Sequence, residues 1–249
     1  MKKVLITGAS SGFGKAIAEK FASAGDQLII TGRREDLLAK LAQDLHQQYG
    51  TSVVVKVFDV QSREQVFKAL QEDGHLDDVD VLVNNAGLAL GRDYFDEAEI
   101  DDWETMIDTN VKGLLYVSKA VLPKMIKRGR GHIINIGSTA GKEVYEKGNV
   151  YCATKFSVEA ISQSMRIDLL RHKIKVTVIH PGAAETEFSN IRFKGDAQLA
   201  KSVYEGYRPL QAEDIADTVY YCSSLPEHVC INSVVMTSTA QANSFYLNR

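Results

Sequence analysis

Cysteine, proline and tryptophan are all scarce in this chain of 249 residues, which has three, four and one of them. Cys152, Cys222 and Cys230 show no CxxC spacing, so neither a disulfide framework nor a thiolate zinc site is indicated. Such a sparse, odd set suits buried free thiols in a reducing compartment. The six histidines, at 46, 75, 132, 172, 180 and 228, do not cluster, and no metal is expected. Charge of one sign is also lacking: the formal net charge is −3, which gives no reason to expect nucleic acid or an anionic membrane as a partner. No apolar run approaches the roughly 18 residues that span a bilayer. Lys2 and Lys3 precede Val4-Leu5-Ile6, but that run stops at Thr7-Gly8, before a signal-peptide core could form. A soluble, cytoplasmic protein is expected.

What is present is a strict alternation of short apolar runs and helical stripes. The runs are Val4–Ile6, Gln27–Thr31, Val53–Phe58, Val79–Val83, His132–Ile136, Val176–Ile179 and Ser233–Met236. Between them Ala16, Ile17, Ala18 and Phe21 recur at helical spacing, as do Leu37, Leu38, Leu41 and Leu45. Longer helices are predicted over about 107–126 and 150–171. Strands that read as unbroken apolar runs are covered on both faces, and β/α alternation implies a parallel sheet. The fold class is therefore α/β: one domain over 1–249, a doubly wound parallel sheet of about seven strands with helices on both faces. A ligand belongs outside the carboxyl ends of the strands. The aperiodic stretch 186–208 is expected to be a substrate lid.

The first strand runs into Gly8, Ser10, Ser11, Gly12, Phe13 and Gly14, which open a helix. Glycines there allow a tight turn and close backbone approach, and a helix N-terminus offers N–H groups to a pyrophosphate. The second strand ends at Arg33 and Arg34, where an NAD enzyme usually has an acidic residue for the ribose 2′-hydroxyl. Two guanidiniums suit a 2′-phosphate, so NADP(H) is expected over NAD(H). The competing reading makes them solvated first-turn residues, a poor position for cations beside the helix dipole. Asp59 and Val60 follow the third strand; Asp59 either caps a helix or contacts the adenine. Asn85, Ala86 and Gly87 follow the fourth, leaving room for a ribose or forming a simple turn.

Tyr151 and Lys155 are four apart on a predicted helix and share a face. A free phenol has a pKa near 10, too high for acid–base work at neutral pH, and a neighbouring ammonium is expected to lower it. Ser138, just past the fifth strand, could hold a substrate oxygen. Asn110, within the long helix after the fourth strand, could relay protons through water to Lys155.

TGASSGFG, NNAG, Asn110, Ser138, the Tyr151 to Lys155 motif and Pro181-Gly182 together resemble the short-chain dehydrogenase/reductase family over essentially the whole chain. The resemblance implies a Rossmann-like domain, a Ser-Tyr-Lys set supported by Asn110, and a homotetramer. It adds Tyr151, Lys155, Pro181, Gly182, Ala184 and Thr186 to the cofactor site. NNAGLALG, GHIINIGSTAG and TEFSNIRFKGD further resemble the NADP-dependent 3-hydroxy acid dehydrogenases, which implies substrates with a hydroxyl β to a carboxylate. Two segments depart from that group: the charged run from Lys142 to Lys147, and Pro181 to Thr186. Arg192 is the candidate carboxylate ligand, with a surface lid arginine as the alternative. A general aldehyde/ketone (carbonyl) reductase and a non-catalytic NADPH sensor compete with the 3-hydroxy acid dehydrogenase reading. The intact Ser138, Tyr151 and Lys155 set argues against the sensor.

Overall fold

The computed structural model describes residues 1–71 and 74–249. Seven strands form a single sheet: β1 (Lys3–Thr7), β2 (Gln27–Gly32), β3 (Val53–Val57), β4 (Val81–Asn84), β5 (Gly131–Ile136), β6 (Ile174–Pro181) and β7 (Ser233–Met236). Their spatial order is β3-β2-β1-β4-β5-β6-β7 and every pairing is parallel. Helices α1 (Gly12–Ser23), α2 (Glu35–Tyr49) and α3 (Arg63–Gln71) follow the first three strands. After β4 come α4 (Ile100–Ile107) and α5 (Leu114–Arg128), and after β5 comes α6 (Asn149–Asp168). The segment after β6 carries α7 (Phe188–Arg192), α8 (Ala197–Ser202) and α9 (Ala212–Ser224).

The two-residue period of a strand sorts the core into two layers. Val4 and Ile6 pack with Phe21, Leu38, Leu45, Ile215 and Val219, on the side of α1, α2 and α9. Leu5, between them, packs with Val66, Leu70, Val117, Val121 and Met125, on the side of α3 and α5. Both faces of the central strands are thus dry, which is why they read as continuous apolar runs.

Two expectations need correction. The helix predicted over about 107–126 is interrupted: α4 ends at Ile107, a π-helical turn covers Asp108–Gly113, and α5 begins at Leu114. Asn110 therefore lies in a widened turn, a feature that recurs at functional sites. The stretch 186–208 contains α7 and α8, so it is less irregular than its aperiodic pattern indicated. No helix among the described residues is long and apolar enough to cross a membrane. Cys152, Cys222 and Cys230 are all free, the first two buried and the third half-buried.

Candidate active site

The strand order reverses between β1 and β4, so the loops leaving these neighbours diverge and open a crevice at their carboxyl ends. The crevice is a cleft of about 640 Å³, within the range of small-molecule sites.

Its floor is laced together from the two loops. Asn85 and Ala86 donate backbone N–H groups to Thr7 Oγ1, each at 3.0 Å, and Asn85 Nδ2 donates to Thr7 O at 2.8 Å. Gly8 has a φ of +66°, and a Cβ there would meet the Ala86 backbone at 3.0 Å. A Cβ on Gly14 would lie 2.3 Å from Gly8 O. Gly14 does not line the cleft; it lets α1 close on the loop beneath it, which corrects its expected place as a cofactor contact. Ser11, the N-cap of α1, makes no side-chain cap. Its hydroxyl accepts instead from Arg34 Nη2 at 2.7 Å, so the first-turn N–H groups keep no side-chain partner and remain available to an anion.

Arg34 also reaches Ser10 Oγ at 2.9 Å and Glu187 Oε2 at 3.1 Å, spanning from the glycine loop to the segment after β6. Arg33 faces Asp59 Oδ2 at 3.6 Å. Asp59 caps no helix: its Oδ1 accepts from Gln61 N at 3.0 Å, while Ser62 Oγ accepts from Gln65 N in the first turn of α3. Val60, Gly87, Pro181, Gly182, Ala184 and Thr186 complete this part of the lining.

At the other end, Ser138 leaves β5 in an extended conformation, and its Oγ accepts from Ala140 N at 3.1 Å. Tyr151 and Lys155, on α6, are 7% and 6% exposed and both line the cleft. The Ser138 hydroxyl faces the Tyr151 phenol and acts to lower its pKa. Lys155 Nζ donates to Ile136 O at 3.0 Å and stands 5.9 Å from the Tyr151 ring centroid. Burial pulls the Lys155 ammonium down to about 8. The phenol does not follow the expectation of a lowered pKa. Burial, the largest influence on it, pushes it up, and the opposing effects of Ser138 and Arg192 are smaller. Tyr151 is therefore a protonated phenol at neutral pH.

Asn110 is 2% exposed and does not line the cleft. Its Oδ1 accepts from Leu88 N at 2.8 Å, and its Nδ2 donates to Leu88 O at 2.8 Å and Thr154 Oγ1 at 3.0 Å. Both amide protons are thus committed, and the water relay expected of this side chain has no N–H left to use. Its geometry instead pins the loop after β4 to α6.

Arg192 is not a surface arginine. Its Nε donates to Gly91 O at 3.2 Å and its Nη1 to Tyr145 Oη at 3.0 Å. The guanidinium lies 5.5 Å from the Tyr151 ring centroid. Gly91 N donates in turn to Arg192 O at 3.0 Å, which ties α7 to the loop after β4.

Tyr145, within the charged run from Lys142 to Lys147, and the C-terminal segment belong to no recognisable motif, yet both reach the cleft. Gln241, Ser244, Leu247 and Arg249 line the cleft. The C-terminal segment folds back on its own chain: Gln241 Oε1 accepts from Ala183 N at 2.8 Å, and Ser244 N donates to Glu143 Oε1 at 2.6 Å. The charged run after Ser138 is also accounted for. Lys142 pairs with Glu159, Glu143 holds Ser244, and Glu146 accepts from Tyr94. Of that run, only Tyr145 lines the cleft.

The sequence matches the short chain dehydrogenase family over residues 2–196. It is 48% identical over 243 residues, 96% of each chain, to the NADP-dependent 3-hydroxy acid dehydrogenase YdfG of Salmonella typhi. It is 44% identical to sulfoacetaldehyde reductase 2 of Chromohalobacter salexigens, over 98% of this chain and 96% of that one. Among solved structures, the closed form of serine dehydrogenase complexed with NADP+ superposes with a TM-score of 0.92, at 44% identity and 99% coverage of both chains. With a matching fold, a cleft at the predicted switch point and relatives along its whole length, this chain belongs to the short chain dehydrogenase family.

Proposed function

We propose that this enzyme interconverts a small 3-hydroxy acid and its 3-oxo acid or semialdehyde, using NADP(H). The observation that carries the substrate class is Arg192. Gly91 and Tyr145 hold its guanidinium in the cleft beside Tyr151, and no carboxylate among the described residues neutralises it. A half-buried cation with free donors next to an acid–base candidate favours a substrate that brings its own carboxylate.

Within this reading Tyr151 gives a proton to the carbonyl oxygen during reduction and takes it back during oxidation. Ser138 holds that oxygen, and Lys155 supplies positive charge beneath the phenol. Asn110 keeps the loop after β4 in register with α6. NADP(H), when bound, supplies or accepts the hydride. Ser10, Ser11, Gly12 and Phe13 would receive its pyrophosphate, Arg33 and Arg34 its 2′-phosphate, Asp59 and Val60 its adenine, and Asn85, Ala86 and Gly87 its ribose. The segment 186–208 acts as the lid, joined to the body through Arg192 and through Lys194, which pairs with Asp102 at 2.8 Å. Exposed apolar side chains near the end of α6, Ile167 at 76% and Leu170 just beyond it at 75%, suit contact with another copy and so favour the homotetramer.

A panel of serine, 3-hydroxypropionate, 3-hydroxyisobutyrate and allo-threonine with NADP+, against neutral aldehydes and ketones with NADPH, tests the assignment. Arg192→Ala is expected to raise KM for the acids by about 10- to 100-fold, the worth of a charged hydrogen bond of roughly 1.5–3 kcal/mol. Neutral substrates should change less than about threefold. Equal effects on both classes would remove the carboxylate role and leave a general carbonyl reductase. A second reading, a sulfonated aldehyde, is favoured by the sulfoacetaldehyde reductase relative, since a sulfonate suits the same guanidinium. Sulfoacetaldehyde outpacing every 3-oxo acid would select it.

The cofactor assignment has its own test. Replacing Arg33 and Arg34 together with Ala is expected to weaken NADPH binding by about 10- to 100-fold and to leave NADH nearly unchanged in a fluorescence titration. An unaltered NADPH/NADH ratio would make the two arginines mere tethers of Asp59 and Glu187.

A further inference from the structure

Against the Ser138 peptide lies a polar chain that does not line the cleft. His180, on β6, has a fully buried side chain. Its Nδ1 is 2.9 Å from Ser138 O and 3.3 Å from Ser138 N. Its Nε2 is 2.7 Å from Glu159 Oε2 on α6. The other Glu159 oxygen meets Lys142 Nζ at 3.2 Å and Gln163 Nε2 at 2.6 Å. A Cβ on Gly137 would lie 2.6 Å from His180 Nδ1, so the imidazole packs directly against the end of β5.

We propose that His180 is a positioning residue which, braced by Glu159 and Lys142, fixes the Ser138 peptide and so aims the Ser138 hydroxyl into the cleft. The inference rests on the role given to Ser138 above. Ser138 Oγ already takes the Ala140 N–H, so its direction follows the peptide it hangs from. A buried imidazole paired with a carboxylate is a poor choice if only packing is needed, because an apolar pair of similar volume is often as stable or more so.

The proton arithmetic makes the contact testable. Two acceptors face the ring, Ser138 O and the Glu159 carboxylate. Only an imidazolium donates to both; a neutral ring donates to one and keeps its second nitrogen as an acceptor. Ser138 N–H is the donor available to that nitrogen. The titratable groups facing His180 are Glu159, which favours the charged ring, and Lys142, which opposes it. Burial, the largest influence, holds His180 below its ordinary value. Burial also opposes ionisation of Glu159, but hydrogen bonds from Gln163, His180 and Lys142 together keep its carboxyl below the usual range. At neutral pH the ring therefore gives its single proton to Glu159 and accepts from Ser138 N–H. Acidification adds a proton at Nδ1 and transfers the grip to the Ser138 carbonyl.

The test uses His180→Leu, His180→Asn and Glu159→Gln in the full chain. His180→Leu is expected to lower kcat for the best acid of the panel by about 10- to 100-fold, the cost of a small misplacement at a reacting centre. KM and NADPH affinity should stay within about threefold. His180→Asn, whose amide oxygen can stand in for Nδ1 as the acceptor of the Ser138 N–H, should recover most of the loss and flatten the acid limb of the kcat–pH profile. In a ¹H–¹⁵N spectrum of the wild type, the Ser138 amide should shift in step with the His180 titration, and in His180→Asn it should not. That spectrum needs no turnover, so it separates a failure here from a wrong substrate. Should His180→Leu not fold, Glu159→Gln replaces it: a smaller kcat loss and a His180 titration moved to lower pH are expected. Wild-type kcat in a folded His180→Leu, or an unmoved His180 titration and kcat in Glu159→Gln, overturns the proposal. So does a Ser138 amide that ignores His180.

Discussion

Replacing Tyr151 with Phe is expected to lower kcat by about 10³-fold, within the range that general acid–base catalysis contributes, while NADPH binds with unchanged affinity. The substitution removes one oxygen and little else. The ring keeps its packing on Phe188, 5.7 Å between centroids, and its place 5.5 Å from the Arg192 guanidinium. Steady-state turnover and a fluorescence titration on the same preparation check both halves. Turnover within tenfold of the wild type would show that the proton reaches the oxygen by another route. The raised pKa of the phenol adds a direction. Below that value the group is protonated, which suits donation and therefore reduction. Oxidation needs the phenolate, so its rate should climb with pH through the neutral range while reduction does not.

The second large effect is expected at Lys155, where stability and activity should move in opposite directions. Burial lowers its pKa from 10.5 to about 8. At roughly 1.4 kcal/mol per unit, the folded chain carries a penalty on the order of 3 kcal/mol for holding this ammonium below pH 8. Lys155→Met removes the charge, keeps most of the volume and gives up the bond to Ile136 O, worth about 1 kcal/mol. The variant should be more stable than the wild type by roughly 1–2 kcal/mol at pH 7, and inactive. The sign follows from proton counts. Between the folded and unfolded values the unfolded wild type binds more protons, so its stability rises with pH across about 8 to 10.5. The advantage of Lys155→Met is therefore full below pH 8 and fades above it. Denaturant melts at pH 7 and pH 10 measure this; a variant less stable than the wild type at pH 7 would mean that the ammonium has a partner stronger than Ile136 O.

Where the sequence could be read directly, the physics was local. The runs at Val4, Leu28, Val81 and Ile133 could only be strands dry on both faces, and the glycines from Gly8 to Gly14 could only serve a turn into a helix. Tyr151 and Lys155 share a face because a helix has 3.6 residues per turn. Asn110 was visible as an unusual residue but not as a loop clamp. Its partner Leu88 lies 22 positions away, and the π-helical turn that carries it leaves no periodic trace. Sequence leaves Arg192 evenly between a carboxylate ligand and a surface arginine; what decides is that Gly91 and Tyr145, 101 and 47 positions away, hold its guanidinium.

Pattern and chemistry of neighbours along the chain are enough to determine a parallel α/β domain with a glycine-rich loop after its first strand and a tyrosine–lysine pair on one helix face. Tertiary structure alone decided that the phenol is raised rather than lowered, that Arg192 faces the cleft, that the C-terminal segment folds over its own site, and that His180 stands against Ser138. The reason is that strand and helix periods act over a few residues, whereas desolvation and hydrogen-bond pairing depend on which distant segments close around a group.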